Sequence, residues 1–229
     1  MLWPFLLAFI LVAYNTLLPL LAGRFQERAY VPLNGAVGLL LVLVARWGLG
    51  LPWEGMGLGG RGVWAGAGWG ALVGLALGLP LLAGAFLFPH LPGPARGFAP
   101  PSAPTTLGAL AYHLLLRIPV GTALFEEVAF RGVLYGLLAQ RWGAPPALLV
   151  SAAAFALWHC GPILVRVQTH QVHGFWPLAW QWVGGLGGTF LGGLLLGGLR
   201  WGTGGLGGPV VAHTLLNDLG LLAWYALRR

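Results

Sequence analysis

Three short motifs of chemically capable residues lie in stretches that are otherwise almost free of charge. They are Glu126-Glu127-x-x-x-Arg131, Phe155-x-x-x-His159 and His213-x-x-x-Asn217. Only 7% of the 229 residues are charged, whereas 58% are hydrophobic. An ionisable side chain inside a bilayer costs roughly 2.5 kcal/mol or more, so it usually faces a protein cavity and has a function. Carboxylate, imidazole and amide groups together can activate water and stabilise the charge that its attack creates.

The spacing of the first motif predicts a division of labour between the two glutamates. Successive residues of a helix point about 100° apart, so Glu126 and Glu127 face different directions. Arg131 follows Glu127 by four residues and shares its face. We therefore expect Glu127 and Arg131 to form a buried pair, which leaves Glu126 to face a cavity as a general base.

The other two motifs supply groups that could work with Glu126. His159 lies one helical turn after Phe155, where a neutral imidazole could bond Glu126 and share a water molecule with it. His213 and Asn217 share one helix face, because they are four residues apart. Both can donate hydrogen bonds toward one point, as an oxyanion hole requires. Asp218 could orient these groups or lie at the membrane interface.

A metal ion offers a competing account of the same residues. Glu126, His159 and His213 could supply three ligands to Zn²⁺ and leave a fourth position open for water. The pattern His-Glu-x-x-His is absent, so the ligands would come from three separate helices. The sequence does not separate a water activated by Glu and His from a zinc-bound one. We prefer the account that requires no cofactor and keep zinc as the alternative.

The elements that must position these groups are membrane helices. The mean hydropathy is +0.80, and several apolar runs approach the roughly 20 residues that span a bilayer. The runs cover about 2–22, 31–49, 63–89, 106–139, 146–160, 176–199 and 205–227. The fourth is too long for one span, and Pro119 inside it predicts a kink or break. Loops or breaks are expected at Arg24–Tyr30, Gly48–Arg61, Pro89–Pro104, Arg141–Pro146 and Gly161–Phe175.

These runs predict an all-α polytopic membrane protein with seven or eight transmembrane helices. Residues 1–229 form a single integral membrane domain in this interpretation, in which 1–105 carry no motif and 106–227 form the catalytic core. Residues 2–22 are interpreted as a first membrane helix and not as a removed signal peptide. The glycine-rich stretch Gly184–Gly208 predicts close packing of helices.

The amino-acid composition indicates which partners the protein has and in which membrane it lies. The net charge of +7 comes from arginines scattered singly between apolar runs, so we expect a lipid bilayer around the chain and no nucleic acid. The chain has no Lys and is rich in Gly, Ala, Leu, Pro and Arg. That pattern is typical of a GC-rich bacterial or archaeal genome and indicates a prokaryotic cytoplasmic membrane.

The chain lacks the residues that two known kinds of intramembrane protease use for catalysis. Ser102 and Ser151 do not lie in a Gly-x-Ser setting, which a serine nucleophile of the rhomboid type needs. Asp218 is the only aspartate, so a pair of catalytic aspartates is excluded.

The three motifs, in this order on membrane helices, resemble those of the CPBP family. These are CAAX proteases and bacteriocin-processing enzymes, also called the Abi or Rce1-like family and often labelled metalloendopeptidases. Phe190, Gly193 and Gly197 resemble the weaker motif that precedes the last helix of that family. The resemblance covers about residues 106–227.

The resemblance implies an eight-helix fold around a conical catalytic cavity open to the membrane. It implies that Glu126 and His159 activate water and that His213 and Asn217 stabilise the oxyanion. The remaining motif residues, Glu127, Arg131 and Phe155, would then be supporting residues.

Three functions are compatible with these residues. The first is an intramembrane endopeptidase that cuts a peptide or membrane-protein substrate, in CAAX-type or leader- and signal-peptide processing. The second is a non-catalytic membrane scaffold or bacteriocin-immunity protein of the same fold. The third is a proton-coupled transporter, but this predicts internal duplication or paired broken helices, which the sequence does not show.

Overall fold

The computed structural model describes residues 2–59, 63–64, 66–88, 104–169 and 172–227, and for residues 18–28 it describes the backbone alone. Within these ranges every regular element is a helix. The helices are α1 (Trp3–Leu43, extended by a π-helical turn, Val44–Gly48), α2 (Ala67–Leu87), α3 (Leu107–Trp142), α4 (Ala144–Trp158), α5 (Cys160–Thr169), α6 (Phe175–Thr203) and α7 (Gly207–Leu227).

The distribution of side chains is that of a membrane protein. Six helical segments of the described chain are long and apolar enough to cross a bilayer, and a shorter apolar segment covers Trp3–Leu17. Large apolar side chains point outward, such as Leu115 and Trp176, which are 77% and 79% exposed. Charged side chains lie inside, among them Glu127 and Arg131 at 0% and 1%. The protein is therefore an all-α polytopic membrane protein, as the sequence predicts.

Helix α1 folds back on itself. The Tyr14 hydroxyl donates to Asn34 Oδ1 over 2.6 Å, although a straight helix would separate residues 20 apart by roughly 30 Å. The chain must therefore reverse between the Trp3–Leu17 leg and the Ala29–Gly48 leg, which lie side by side. The sequence predicts a loop or break at Arg24–Tyr30, whereas the backbone there is helical.

Of the kink or break predicted at Pro119, the break does not occur, because α3 is continuous across this residue. Its segments His113–Leu124 and Val128–Leu134 are wound as π-helices on either side of the turn that carries Glu126 and Glu127. Wide π turns absorb a local disturbance of the backbone bonds and occur often at functional sites. Neighbouring side chains support both segments. Asn34 Nδ2 donates to the Gly121 carbonyl at 2.8 Å, and Ser151 Oγ donates to the Phe130 carbonyl at 2.9 Å.

The loop predicted at Gly161–Phe175 begins later than expected. The helical path turns at His159 and resumes as α5, which runs to Thr169. Pro162 lies in the first turn of α5, where a backbone N–H has no helical partner to lose. The predicted Pro89–Pro104 loop lies outside the described residues except for Pro104.

Glycine ridges bring the helices together, but on selected faces only. An added Cβ at Gly193 would lie 3.0 Å from Ala152 of α4, and one at Gly197 would lie 3.2 Å from Leu148. A Cβ at Gly188 or Gly192 would meet nothing within 4 Å. The prediction of close packing is therefore confirmed for the glycines of α6 that face α4. It is wrong for the glycines of α6, such as Gly188 and Gly192, that face open space.

A second ridge joins α2 to α7, which carries His213. Its members are spaced by four residues and face α7, and they are Gly70, Gly74 and Gly78. A Cβ at Gly70 would collide with the Gly208 carbonyl, and one at Gly74 would approach Leu215 to 2.9 Å. The approach of these two helices therefore depends on the missing side chains.

We expect Gly70→Ala to destabilise the protein by about 1–3 kcal/mol, because the new methyl group meets backbone that cannot rotate away. Gly84→Ala is the matched control, since it lies on the same helix and its Cβ would meet nothing within 4 Å. Thermal unfolding of the detergent-solubilised proteins measures the difference. Equal melting temperatures for Gly70→Ala and Gly84→Ala would contradict the close approach of α2 and α7.

Candidate active site

Glu127 is the centre of a buried polar cluster. Its Oε1 accepts hydrogen bonds from Arg131 Nη1 at 2.9 Å and from His213 Nδ1 at 2.8 Å. Arg131 Nη2 also donates to the Gly193 carbonyl at 3.3 Å. The first contact is the i, i+4 pair that the sequence predicts. The cluster ties α3, α6 and α7 together at the level of the two glutamates.

Glu126 has one anchored oxygen and one free oxygen. Its Oε1 accepts a hydrogen bond of 3.2 Å from the indole Nε1 of Trp158. Its Oε2 is buried and has no hydrogen-bond partner among the described residues. His213 Nε2 lies 3.8 Å from this oxygen, which is too far for a hydrogen bond. A buried carboxylate oxygen without a donor is rare in a folded protein, and such groups often have a catalytic role or hold a water molecule.

His159 lies at the turn between α4 and α5, and its tautomer follows from one contact. His159 Nδ1 is 2.8 Å from the Phe155 carbonyl oxygen. A carbonyl oxygen can only accept, so Nδ1 carries the proton. In the neutral imidazole the lone pair is then on Nε2, which is the nitrogen that can take a proton from water.

Phe155 packs against three of the polar side chains. The guanidinium carbon of Arg131 lies 4.1 Å from the centre of its ring. The His159 ring meets it edge to face at 4.7 Å between centroids, and the His213 ring does so at 6.0 Å. This ring therefore fixes the separation of the two histidines and offers Arg131 a cation–π contact.

Asn217 is less closely connected to the cluster. It lies one turn after His213 on α7 and is partly buried. Its amide forms no hydrogen bond with the described part of the chain, so its donors are uncommitted. Asp218 is also partly buried, and its Oδ1 has no partner among the described residues.

The structure thus brings six of the seven predicted site residues into one network of contacts. They are Glu126, Glu127, Arg131, Phe155, His159 and His213. Asn217 is adjacent on the helix face of His213 but makes no contact of this kind.

Sequence reasoning missed the residues that hold Glu126 from α1 and α4. Trp158 bonds Glu126, and Asn15 Nδ2 donates to the Trp158 carbonyl at 2.9 Å. Tyr14 stacks on the Trp158 ring with an interplanar angle of 18°. The signal was available in the polar pair Tyr14-Asn15 inside an apolar run, and in the tryptophan that precedes His159.

The zinc alternative requires three ligand side chains within reach of one ion. No group of three His, Cys, Asp or Glu side chains in the described ranges is close enough to hold a metal ion. His213 Nδ1 and His159 Nδ1 are bonded to Glu127 and to the Phe155 carbonyl, which leaves Nε2 of each ring free, as it is in histidines that bind a metal.

Comparison with known proteins gives one finding. Residues 108–219 match the model of the Rce1-like family, described as type II CAAX prenyl endopeptidase Rce1-like. The matched region contains all three motifs. No curated protein and no solved structure matches the chain significantly.

Proposed function

Since the region 108–219 places the chain in the Rce1-like family of type II CAAX prenyl endopeptidases, we propose that it is an intramembrane endopeptidase in which Glu126 is the general base. The family match indicates a protease, and the apolar helices place it in a membrane. The catalytic residues, the metal-free reaction and the substrate are the parts that we propose.

The observation that carries the proposal is the state of the Glu126 carboxylate. It is 5% exposed, it lies in a membrane-spanning helix, and one of its oxygens lacks a donor. Glu127 Oε2 also lacks a donor, but Glu127 Oε1 is bonded to two basic side chains, whereas Glu126 is bonded only to the neutral indole of Trp158. A buried acceptor left unsatisfied costs about 1–3 kcal/mol, and this cost applies to Glu126 Oε2. A water molecule on Oε2 would satisfy this atom, and a water on a carboxylate is the reactant that hydrolysis needs.

The first step is the activation of this water. Glu126 Oε2 accepts one proton, and His159 Nε2 accepts a hydrogen bond from the same water and aligns it. The water oxygen then bonds to the carbonyl carbon of the substrate, and the electron pair of the C=O bond moves to the oxygen. The electron pair on the oxyanion then re-forms the C=O bond as the C–N bond breaks, and the proton held by Glu126 passes to the departing amide nitrogen.

His213 and Asn217 stabilise the negative charge that forms on the substrate oxygen. His213 donates its Nδ1 proton to Glu127, so a bond to the oxyanion requires a second proton on Nε2. Glu127 would offset the positive charge of the resulting imidazolium. With two carboxylates (Glu126 and Glu127) and two cations (Arg131 and His213), the cluster before water is activated would have no net charge. The free amide of Asn217, on the same helix face, supplies the second donor.

We propose that the substrate is a peptide or membrane protein cleaved near its C-terminus or at the membrane boundary, in a prokaryotic cytoplasmic membrane. CAAX-type processing and leader- or signal-peptide processing both fit the family.

A quantitative profile of N- and C-terminal peptides tests the proposal and identifies the substrate. Membrane and secreted proteins are compared between cells that express the wild-type protein and cells that express Glu126→Gln at the same level. New termini that occur only with the wild type would support a protease. Identical profiles, with an unchanged phenotype, would favour the scaffold or immunity function instead.

Metal removal separates the two kinds of endopeptidase. We expect cleavage by the purified protein to survive prolonged dialysis against a zinc chelator, because the placed side chains do not form a three-ligand set. The zinc content, measured by elemental analysis, should be well below one ion per chain. Loss of activity on dialysis, with recovery on adding Zn²⁺, would establish the metalloendopeptidase alternative.

A further inference from the structure

We propose that Trp158 is a positioning residue for Glu126, which fixes one carboxylate oxygen and so directs the other toward the water. This inference rests on the proposed function, because it assigns the geometry of the same general base. Trp158 occupies a variable position of the Phe155-x-x-x-His159 motif, directly before His159.

The geometry singles out the indole N–H. It is 3.2 Å from Glu126 Oε1, and Trp158 is only 2% exposed. Among the described residues, it is the one side chain that forms a hydrogen bond with Glu126. The carboxylate is therefore held at a single oxygen, by a donor that has one proton and cannot accept one in return.

A neutral donor suits a general base better than a cation would. Glu127 shows the contrast, because its Oε1 is bonded to both Arg131 and His213. Charge-assisted bonds of that kind stabilise a carboxylate strongly and reduce its tendency to take a proton. The indole of Trp158 fixes the orientation of Glu126 without adding a positive charge, so Oε2 keeps its lone pairs for water.

The indole is itself held by the first leg of α1. Asn15 Nδ2 donates to the Trp158 carbonyl at 2.9 Å, and the Tyr14 ring stacks on the indole at 6.1 Å between centroids. Phe125 and Phe130 of α3 pack against the same indole at 5.8 and 5.5 Å. These contacts restrict rotation of the indole, so its N–H direction is set by packing.

Trp158 also couples the two groups that act on water. It is adjacent in sequence to His159, at the point where α4 ends. One helix end therefore places the indole against Glu126 and the His159 ring against Phe155. A shift of this helix end would therefore move both groups together.

A spectroscopic experiment tests the contact without requiring activity. The indole N–H resonance of Trp158 is assigned in the detergent-solubilised protein from its loss in Trp158→Phe. We expect this resonance to move upfield in Glu126→Gln, because a neutral acceptor replaces a charged one, while the resonance of the exposed Trp180 stays in place. An unchanged Trp158 resonance would overturn the proposal.

A kinetic experiment tests the role. Trp158 is replaced by β-(3-benzothienyl)alanine, which keeps the bicyclic shape and lacks the N–H. The probe is a fluorogenic farnesylated peptide that ends in a C-a-a-X sequence, or the native substrate once terminal profiling has identified it. We expect kcat to fall about 10-fold or more with KM nearly unchanged, because the base is misaligned while the substrate surface is intact.

Controls separate the possible causes. Site-specific incorporation of 5-fluorotryptophan at position 158, which retains the N–H, should restore kcat, and Trp180→Phe should leave it unchanged, since Trp180 is 76% exposed. An unchanged kcat in the benzothienyl variant would overturn the positioning role alone. If the wild-type protein cleaved no substrate at all, the proposed function would fail and this role would fail with it.

Discussion

The Glu126→Gln protein is expected to cleave its substrate at least about 100-fold more slowly than the wild type. A positioned general base contributes typically 10²- to 10⁴-fold to the rate. Glutamine keeps the length of the side chain and can still accept the Trp158 hydrogen bond, but it cannot take a proton from water. Because the change is nearly isosteric, we expect kcat to fall with little change in KM. Steady-state kinetics with purified protein and the cleaved substrate provide the measurement.

Glu54→Gln is the matched control for this substitution. Glu54 is an exposed glutamate in the turn between α1 and α2, so the same chemical change there should leave the rate unchanged. Melting temperatures of both variants show whether a loss of rate reflects unfolding. Full activity in Glu126→Gln would be incompatible with a glutamate base and would return the scaffold or transport functions to consideration.

The local pairings of the site could be predicted from spacing alone. Glu127 and Arg131 meet because an i, i+4 separation brings side chains together on a helix, whether or not its neighbours are wound more widely. The contact of Phe155 with His159 follows from the same spacing. Hydropathy likewise predicted the helical membrane fold, because apolar runs of about 20 residues have few other stable structures in a bilayer.

Contacts between distant segments could not be predicted in this way. The bond from Asn15 to Trp158 joins residues 143 apart, and no spacing rule applies to that separation. The first 105 residues were assigned no role because they lack the motifs. In the structure they supply the polar side chains of α1 that support α3 and α4, and the glycine ridge of α2 that receives α7.

The π-helical segments of α3 could not be predicted from the sequence either. The angle of about 100° between Glu126 and Glu127 applies to a regular α-helix, whereas π-helical segments flank these residues on both sides. Phe125–Glu127 itself is an α-helical turn, and the two glutamates have different partners, Trp158 for Glu126 and Arg131 for Glu127. Pro119 predicts a disturbance of the helix, and the structure has a π-helical segment there, in which the Gly121 carbonyl accepts a bond from Asn34 of α1.

The Arg131→Met protein is expected to lose about 3–5 kcal/mol of stability. Arg131 is 1% exposed, and its partner Glu127 is fully buried. Removing Arg131 leaves the buried Glu127 carboxylate with His213 as its remaining partner among the described residues, and breaking a buried ion pair is strongly destabilising. Since whole domains are stable by only about 5–15 kcal/mol, the variant should melt far below the wild type or fail to accumulate. Thermal unfolding in detergent and the amount of protein in the membrane are the measurements.

Two further variants show whether charge or packing causes the loss. Arg141→Met, at the exposed end of the same helix, should melt close to the wild type. The double variant Glu127→Gln with Arg131→Met removes both charges and should recover part of the stability, whereas the cation–π contact with Phe155 and the bond to the Gly193 carbonyl stay lost. Additive effects of the two substitutions would show that the pair is not coupled. A coupling of the expected sign would mean that the ion pair between Glu127 and Arg131 helps to keep α3 in place.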